Sequence, residues 1–108
     1  MKITFERTPT AICAVLTKPG ECDRIITVAR PSDAFDALAL DIHTAALKPL
    51  DALFSLSRVV CVEIGRHEGG WRVEVAYWNK GLGTLAQYET YAATLSEALA
   101  RCVWALAG

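Results

Sequence analysis

This 108-residue sequence lacks closely spaced cysteine and histidine ligands. Its two histidines are His43 and His67, and its four cysteines, none of them in a CxxC pair, are Cys13, Cys22, Cys61 and Cys102. A structural zinc site usually draws four ligands from such spacings, so we predict no metal site and no cofactor. Cys61 and Cys102, which lie among apolar neighbours in a strand and a helix, are predicted to be buried free thiols. The strand register expected around the turn at residues 18–21 argues against a bond between Cys13 and Cys22.

Long apolar runs and clustered basic charge are also missing. No run approaches the ~20 apolar residues of a membrane-spanning helix, and the first residues, MKITFERTP, contain no apolar signal-peptide core. We therefore predict a cytoplasmic protein with no membrane partner. The 11 Lys and Arg residues are interspersed with 12 Asp and Glu residues, for a net charge of −1. Because nucleic-acid binders concentrate positive charge on one face, no nucleic-acid partner is expected.

The clearest structural pattern runs from Arg58 to Asn79. Apolar residues alternate along its two halves, first at Val60, Val62 and Ile64 and then at Trp71, Val73, Val75 and Tyr77. A period of two predicts strands with one buried face. Two glycines at positions 69 and 70 lie between the halves and can supply the positive φ of a short connection. The stretch is therefore predicted to be a β-hairpin.

The remaining segments predict further strands and two main helices. Residues 2–6 alternate as a short strand, residues 11–17 and 24–29 read as a second hairpin covered on both faces, and Thr84–Tyr91 reads as a last strand. Ser32 is the predicted N-cap of a helix over Asp33–Leu47, and Pro49 either ends that helix or restarts it as a short turn over Pro49–Phe54. We predict one α+β domain over residues 1–108. Its antiparallel sheet has about six strands in two hairpin segments, with two main helices in the order β-β-β-α-β-β-β-α.

The C-terminal helix has an unusual composition. Thr94 and Glu97 match a capping box at its start, and an inner stripe follows at Leu95, Ala98, Leu99, Cys102 and Leu106. Its outer side is also apolar, because Trp104 lies there and Arg101 is the only charged residue after Glu97. A helix that is apolar all round is usually buried on more than one side, here by another helix or by another subunit. Tryptophan anchors interfaces well, so the predicted contact residues are Trp104, Arg101 and Trp78.

The order helix, three antiparallel strands, helix resembles that of the small phage "ABA sandwich" domains. The matching pieces are the helix Asp33–Leu47, the strands Arg58–Arg66, Trp71–Asn79 and Thr84–Tyr91, and the tail ATLSEALARCVWALAG. The resemblance implies a phage or prophage setting and no catalytic residues. The same order also resembles a double-stranded-RNA-binding domain. The lysines expected at the start of the final helix are replaced here by Thr94-Leu95-Ser96-Glu97, which removes the reason to bind RNA.

Two hypotheses of function follow from different classes. The first is a non-enzymatic protein that docks a protein partner or a second copy of itself, and one concrete version is an inhibitor of a host defence complex, of the anti-CRISPR kind. The alternative is a small enzyme or ligand binder with a cleft near His67 and with Cys61 or Glu63 beside it. A histidine among carboxylates at His43 is a weaker candidate, since a solvated helix face explains it equally well.

Overall fold

The computed structural model describes residues 1–38 and 46–107. Within them, six strands and three helices follow one another as three strands, two helices, three strands and a last helix. The strands are β1 (Lys2–Arg7), β2 (Ile12–Thr17), β3 (Arg24–Val28), β4 (Val59–His67), β5 (Gly70–Asn79) and β6 (Thr84–Ala92), and the helices are α1 (Asp33–Ala37), α2 (Leu47–Ser55) and α3 (Leu95–Ala107). The predicted α+β class and the antiparallel sheet are confirmed.

All six strands form one open sheet in the order β3-β2-β1-β4-β5-β6. Strands β1 and β4 pair antiparallel in the centre, with Phe5 opposite Val62, and so join the two predicted hairpin segments. The edges of the sheet are β3 on one side and β6 on the other. Within the described residues, this order leaves each edge strand unpaired on its outer side, and β6, at nine residues, is the longer of the two.

The described helices pack on one face of this sheet, which we call the core face. Helix α1 contacts β3, α2 contacts β4, and α3 lies across β5 and β6 beside α2. Alternate strand residues such as Ile3, Phe5, Val73 and Val75 point into this layer and are fully buried. The other face, the open face, carries residues such as Ile25, which is 66% exposed. The expectation that β2 and β3 are covered on both faces was therefore wrong.

The hairpin β4–β5 turns on two residues, Glu68 and Gly69. Both have positive φ, 46° and 80°, while Gly70 does not, so the pair of glycines does not act as expected. Gly70 serves a different need, because a Cβ there would lie 2.6 Å from the carbonyl oxygen of Ala92. A bulge between Val59 and Cys61 also shifts the start of β4. The fully buried residue at this end is Val59, not the expected Val60.

The expected helix over Asp33–Leu47 begins where predicted, at Asp33, but its first described segment is shorter than expected. Helix α1 ends at Ala37. A separate helix, α2, begins at Leu47, two residues before the predicted restart at Pro49, so the proline lies in the first turn but not at the first position. Residues 39–45, in the middle of the predicted helix, lie outside the described residues. Ser32 makes no side-chain cap and instead donates its hydroxyl to Asp51 on α2, at 2.7 Å, so it joins the two helices.

The predicted cap of α3 forms in part. The backbone N–H of Glu97 donates to Thr94 Oγ1 at 3.2 Å, which is one half of a capping box. The Glu97 carboxylate does not complete the box. It accepts instead from Arg101, one turn further on, at 2.7 Å. The inner stripe is confirmed, since Leu95, Ala98, Leu99, Cys102 and Leu106 are all buried.

Candidate functional site

Trp104 is the most exposed large apolar side chain among the described residues. It lies on α3 opposite the buried stripe, and 86% of it is exposed. An indole side chain represents roughly 150–250 Å² of surface that would be removed from water in a contact. Neither α2 nor the sheet covers it, so burial within the described part of the chain does not explain this tryptophan.

Arg101 is held at the outer edge of the sheet. Its guanidinium donates to the backbone carbonyl of Tyr91 on β6, at 2.8 Å, and to Glu97 at 2.7 Å. The side chain therefore joins α3 to the edge strand. Half of it remains exposed, so it can also be reached from outside.

Trp78 lies on the other side of the molecule from Trp104. Its neighbour in the strand, Tyr77, packs against the core, so Trp78 points out of the open face, where it is 45% exposed. Directly opposite it on β6 is Leu85, which is 58% exposed. The three predicted contact residues therefore do not form one continuous surface. Trp104 and Arg101 belong to the helix layer, and Trp78 belongs to the open face of the sheet.

The open face also carries a cluster of charges around Arg72. Strand pairing places Glu63 opposite Glu74, and Glu74 opposite Glu89, in a row across β4, β5 and β6. Like charges directly opposite each other on a sheet repel. Arg72 lies two residues before Glu74 on the same face of β5. Its guanidinium forms ion pairs with all three carboxylates, at 3.2 Å to Glu63 and 2.7 Å to Glu89, and also with Glu74. This cluster joins β4, β5 and β6 across the open face.

Tyr91 extends the cluster along β6. Its hydroxyl donates to Glu89 at 2.5 Å. That hydrogen bond, followed by those of Arg72, lowers the pKa of the Glu89 carboxyl, and the same contact raises the pKa of the Tyr91 hydroxyl. Glu89 is thereby kept ionised within a row of three carboxylates.

The Tyr91→Phe substitution is expected to raise the Glu89 pKa towards its ordinary value. A group whose pKa is lowered by folding stabilises the fold above its unfolded pKa, and this contribution is lost as the pH falls through the folded value. We expect the variant to show a smaller loss of stability between pH 7 and pH 3. Carboxyl NMR titration measures the pKa directly, and Tyr88→Phe, on the core face of the same strand, is the matched control. An unchanged Glu89 pKa in Tyr91→Phe would contradict this account.

The proposed Cys61–His67 pair does not come together. Both residues lie on β4, six positions apart, which is about 20 Å along an extended strand. Hydrogen-bond contact needs about 3 Å. Burial, with Glu6, Glu63 and Glu74 nearby, raises the pKa of the Cys61 thiol, the reverse of what a nucleophile needs. Burial also raises the pKa of Cys102 to about 12, so neither thiol is activated.

His67 itself lies over a shallow depression rather than a cleft. Its ring contacts that of Tyr91, with centroids 4.6 Å apart, and its Nε2 is 3.8 Å from Glu68. The depression has a volume of about 330 Å³ and is lined by the β4–β5 turn, Trp71 and the end of β6. Cys61 and Glu63 do not line it, so the residues of the alternative hypothesis are not assembled there.

No group of three His, Cys, Asp or Glu residues in the described ranges is placed to hold a metal ion. All four cysteines are free, and of the two predicted to be buried, Cys102 is buried and Cys61 is only partly buried. His43 and its neighbour Asp41 lie outside the described residues. Within residues 1–38 and 46–107, no helix has the length and apolar character to cross a membrane.

No family model matches the chain, and neither the curated proteins nor the solved structures include a significant match.

Proposed function

We propose that this chain is a non-enzymatic binding protein that acts through contact with another protein. The observation that carries the proposal is the 86% exposure of Trp104 on the outer side of α3. Tryptophan is among the residues that contribute most to binding energy at interfaces, and it loses a large apolar area from water when it docks. Two of the exposed residues that flank it, Ala100 and Ala107, are small, and the guanidinium of the third, Arg101, is directed to Tyr91 and Glu97, so a partner can reach the indole.

The chemistry of the open face is consistent with this proposal. The polar residues around Arg72 are engaged with one another: Arg72 binds three carboxylates, and Tyr91 binds one of the three. The separation of Cys61 from His67 and the raised pKa of that thiol argue against a cysteine nucleophile. The resemblance of the sequence to small phage domains supports a narrower version, in which the partner belongs to a host defence complex.

The Trp104→Lys substitution tests the proposal. Binding to a purified partner is expected to weaken by about 30-fold or more, which corresponds to the ~2 kcal/mol that marks an interface anchor. Stability should change by no more than about 0.5 kcal/mol, because the side chain is exposed. A pull-down from host lysate, read by mass spectrometry, identifies candidates, and calorimetry with each purified candidate measures the affinity.

Leu82→Lys is the matched control for this experiment. Leu82 is 74% exposed in the β5–β6 loop and lies away from the outer side of α3. The control variant is expected to bind as the unmodified chain does. Equal affinity of the Trp104→Lys variant and the unmodified chain for every partner would place the binding surface elsewhere, and the absence of any stoichiometric partner would argue against the proposal itself.

A further inference from the structure

No other described strand pairs with the outer edge of β6. On β5, the backbone N–H of Trp78 donates to the carbonyl of Arg58, on the side of β4. Backbone groups of successive residues in a strand point to alternate sides, so the even-numbered residues of β5 bond to β4. The odd-numbered residues of β5 therefore bond to β6, where their partners are even-numbered, such as Tyr88 opposite Val75. It follows that the N–H and C=O groups of Leu85, Gln87 and Glu89 point away from the sheet.

Arg101 marks where the open edge ends. Tyr91 is the next residue whose backbone faces outward, and its carbonyl already accepts from the Arg101 guanidinium at 2.8 Å. Three outward-facing residues therefore remain without a backbone partner among residues 1–38 and 46–107, with Gln87 at their centre. None of them is Pro or Lys, and no bulge interrupts the pairing of β6 with β5, so the usual protections of an edge strand are missing. The one charge, Glu89, is paired internally with Arg72.

We propose that this edge joins two copies of the chain, with β6 paired antiparallel to β6 of the second copy about a two-fold axis at Gln87. Both sheets then form one continuous sheet of twelve strands. Each Leu85 lies opposite Glu89 of the other copy, and Gln87 lies opposite itself. The three pairs of outward-facing residues supply six hydrogen bonds between the copies.

Charge and an occupied carbonyl group favour this register over two neighbouring ones. A shift that centres the axis on Glu89 places two carboxylates opposite each other, which is unfavourable. A shift that centres it on Tyr88 requires the Tyr91 carbonyl, which Arg101 occupies. The register centred on Gln87 uses each free group and opposes no like charges.

Helix α3 widens the interface beyond one strand. It contacts both β5 and β6, so its axis lies about half a strand spacing inside β6. The two-fold axis lies about half a spacing outside β6, which puts the two α3 helices about 10 Å apart, a normal packing distance. The residue one turn beyond Arg101 on this side of α3 is Ala105, which is exposed and small enough for close approach.

The area of this edge reaches the lower range of stable interfaces. In this register the two copies of β6 overlap over residues 84–90, about 23 Å of extended strand, and the width of the edge is the shortest extent of the molecule, 24 Å. The overlap therefore offers on the order of 550 Å² per copy, or roughly 1,100 Å² in total, which exceeds the ~1,000 Å² expected of a specific interface. The opposite edge is a poorer candidate, because β3 has five residues and begins with Arg24, whose guanidinium reaches the carbonyl of Leu38.

Sedimentation equilibrium with two variants tests the proposal. The unmodified chain should have twice its 11.7 kDa mass at micromolar concentration. The Gln87→Pro variant removes a donor that faces outward and leaves the bonds to β5 intact, so it should be a folded monomer. The Gln87→Lys variant places two like charges on the axis and should weaken the dimer by tenfold or more. Ile25→Lys adds the same charge on β3 and should remain dimeric.

Amide hydrogen exchange gives a second readout. The amides of Leu85, Gln87 and Glu89 should gain protection as protein concentration rises, while those of Ala86 and Tyr88, bonded to β5, should be protected at all concentrations. A monomeric unmodified chain at every concentration, or a dimer that survives in Gln87→Pro, would overturn the proposal. These variants leave Trp104 in place, so the loss of dimerisation can be measured independently of the binding of a different protein through Trp104.

Discussion

The Arg7→Ala substitution is expected to lower the free energy of unfolding by about 3 kcal/mol. The guanidinium donates to three backbone carbonyls, at 2.5 Å to Phe54, 3.3 Å to Leu56 and 2.8 Å to Val59. The first two belong to the end of α2, where the last carbonyls have no partners within the helix and the helix dipole favours a cation. Hydrogen bonds from a charged donor contribute more than neutral ones, and a part-buried acceptor without a partner is costly.

Urea denaturation of two further variants separates geometry from charge. Arg7→Lys keeps the charge but cannot supply the fork of donors that reaches three carbonyls, so it should recover less than half of the loss. Arg30→Ala removes an exposed arginine whose ion pair with Asp33 is 3.4 Å long, and it should change stability by less than about 0.5 kcal/mol. If Arg7→Ala were as small in effect as Arg30→Ala, the role of Arg7 at the end of α2 would be refuted.

The strands in the second half of the sheet could be predicted from alternation, but their register depends on the turn lengths. The loop of two residues after His67 places Glu63 opposite Glu74, and the loop of four residues after Asn79 places Glu74 opposite Glu89. The observed turn at Glu68 and Gly69 lies one residue before the expected pair of glycines, so the row of carboxylates did not follow from the sequence alone. A row of like charges signals that a cation is needed nearby, and Arg72 lies on the same face of the central strand.

Contacts between distant segments could not be predicted in this way. Alternation on β1 indicates that Arg7 faces the core side. Nothing in the local sequence shows that its guanidinium reaches the end of α2, which is 47 residues further along the chain. In the same way, Ser32 has the identity of an N-cap, yet Asp51 on another helix attracts its hydroxyl. The positive φ of Glu68 was missed because propensity favours glycine at such positions, and this turn is of type I′, which requires a positive φ at both residues.

The predicted contact residues show a related limit. Helical spacing correctly places Trp104 outside the buried stripe of α3, and strand alternation correctly places Trp78 on the open face. Each pattern gives the side of its own element, but whether two such sides form one surface depends on how the elements pack. Because α3 packs on the core face, the two tryptophans face in opposite directions. A partner that contacts Trp104 across the helix layer therefore does not require Trp78.

The Phe5→Ala substitution is expected to cost about 4 kcal/mol, the largest effect of a single change considered for this chain. Phe5 on β1 is fully buried. Its ring meets Phe35 of α1 edge-on, with centroids 5.9 Å apart, and Phe54 of α2 at 6.3 Å. One side chain of the central sheet thus anchors both of the shorter helices, and its removal leaves a cavity that neither helix fills. Thr4→Ala, on the open face of the same strand, is the matched control and should change stability by less than about 0.5 kcal/mol.

A double-mutant cycle links this prediction to that for Arg7. The Arg7 guanidinium lies over the ring of Phe54 at 5.4 Å, and Phe5 packs against the same ring. Substitutions that share a partner are not additive, so the double variant should lose less stability than the two single variants together, by about 0.5 kcal/mol or more. Strict additivity, measured by urea denaturation, would show that Phe54 and the end of α2 are positioned independently by the two side chains. The predicted coupling would instead show that β1 holds the end of α2 as one unit, through its apolar face and its last charged residue together.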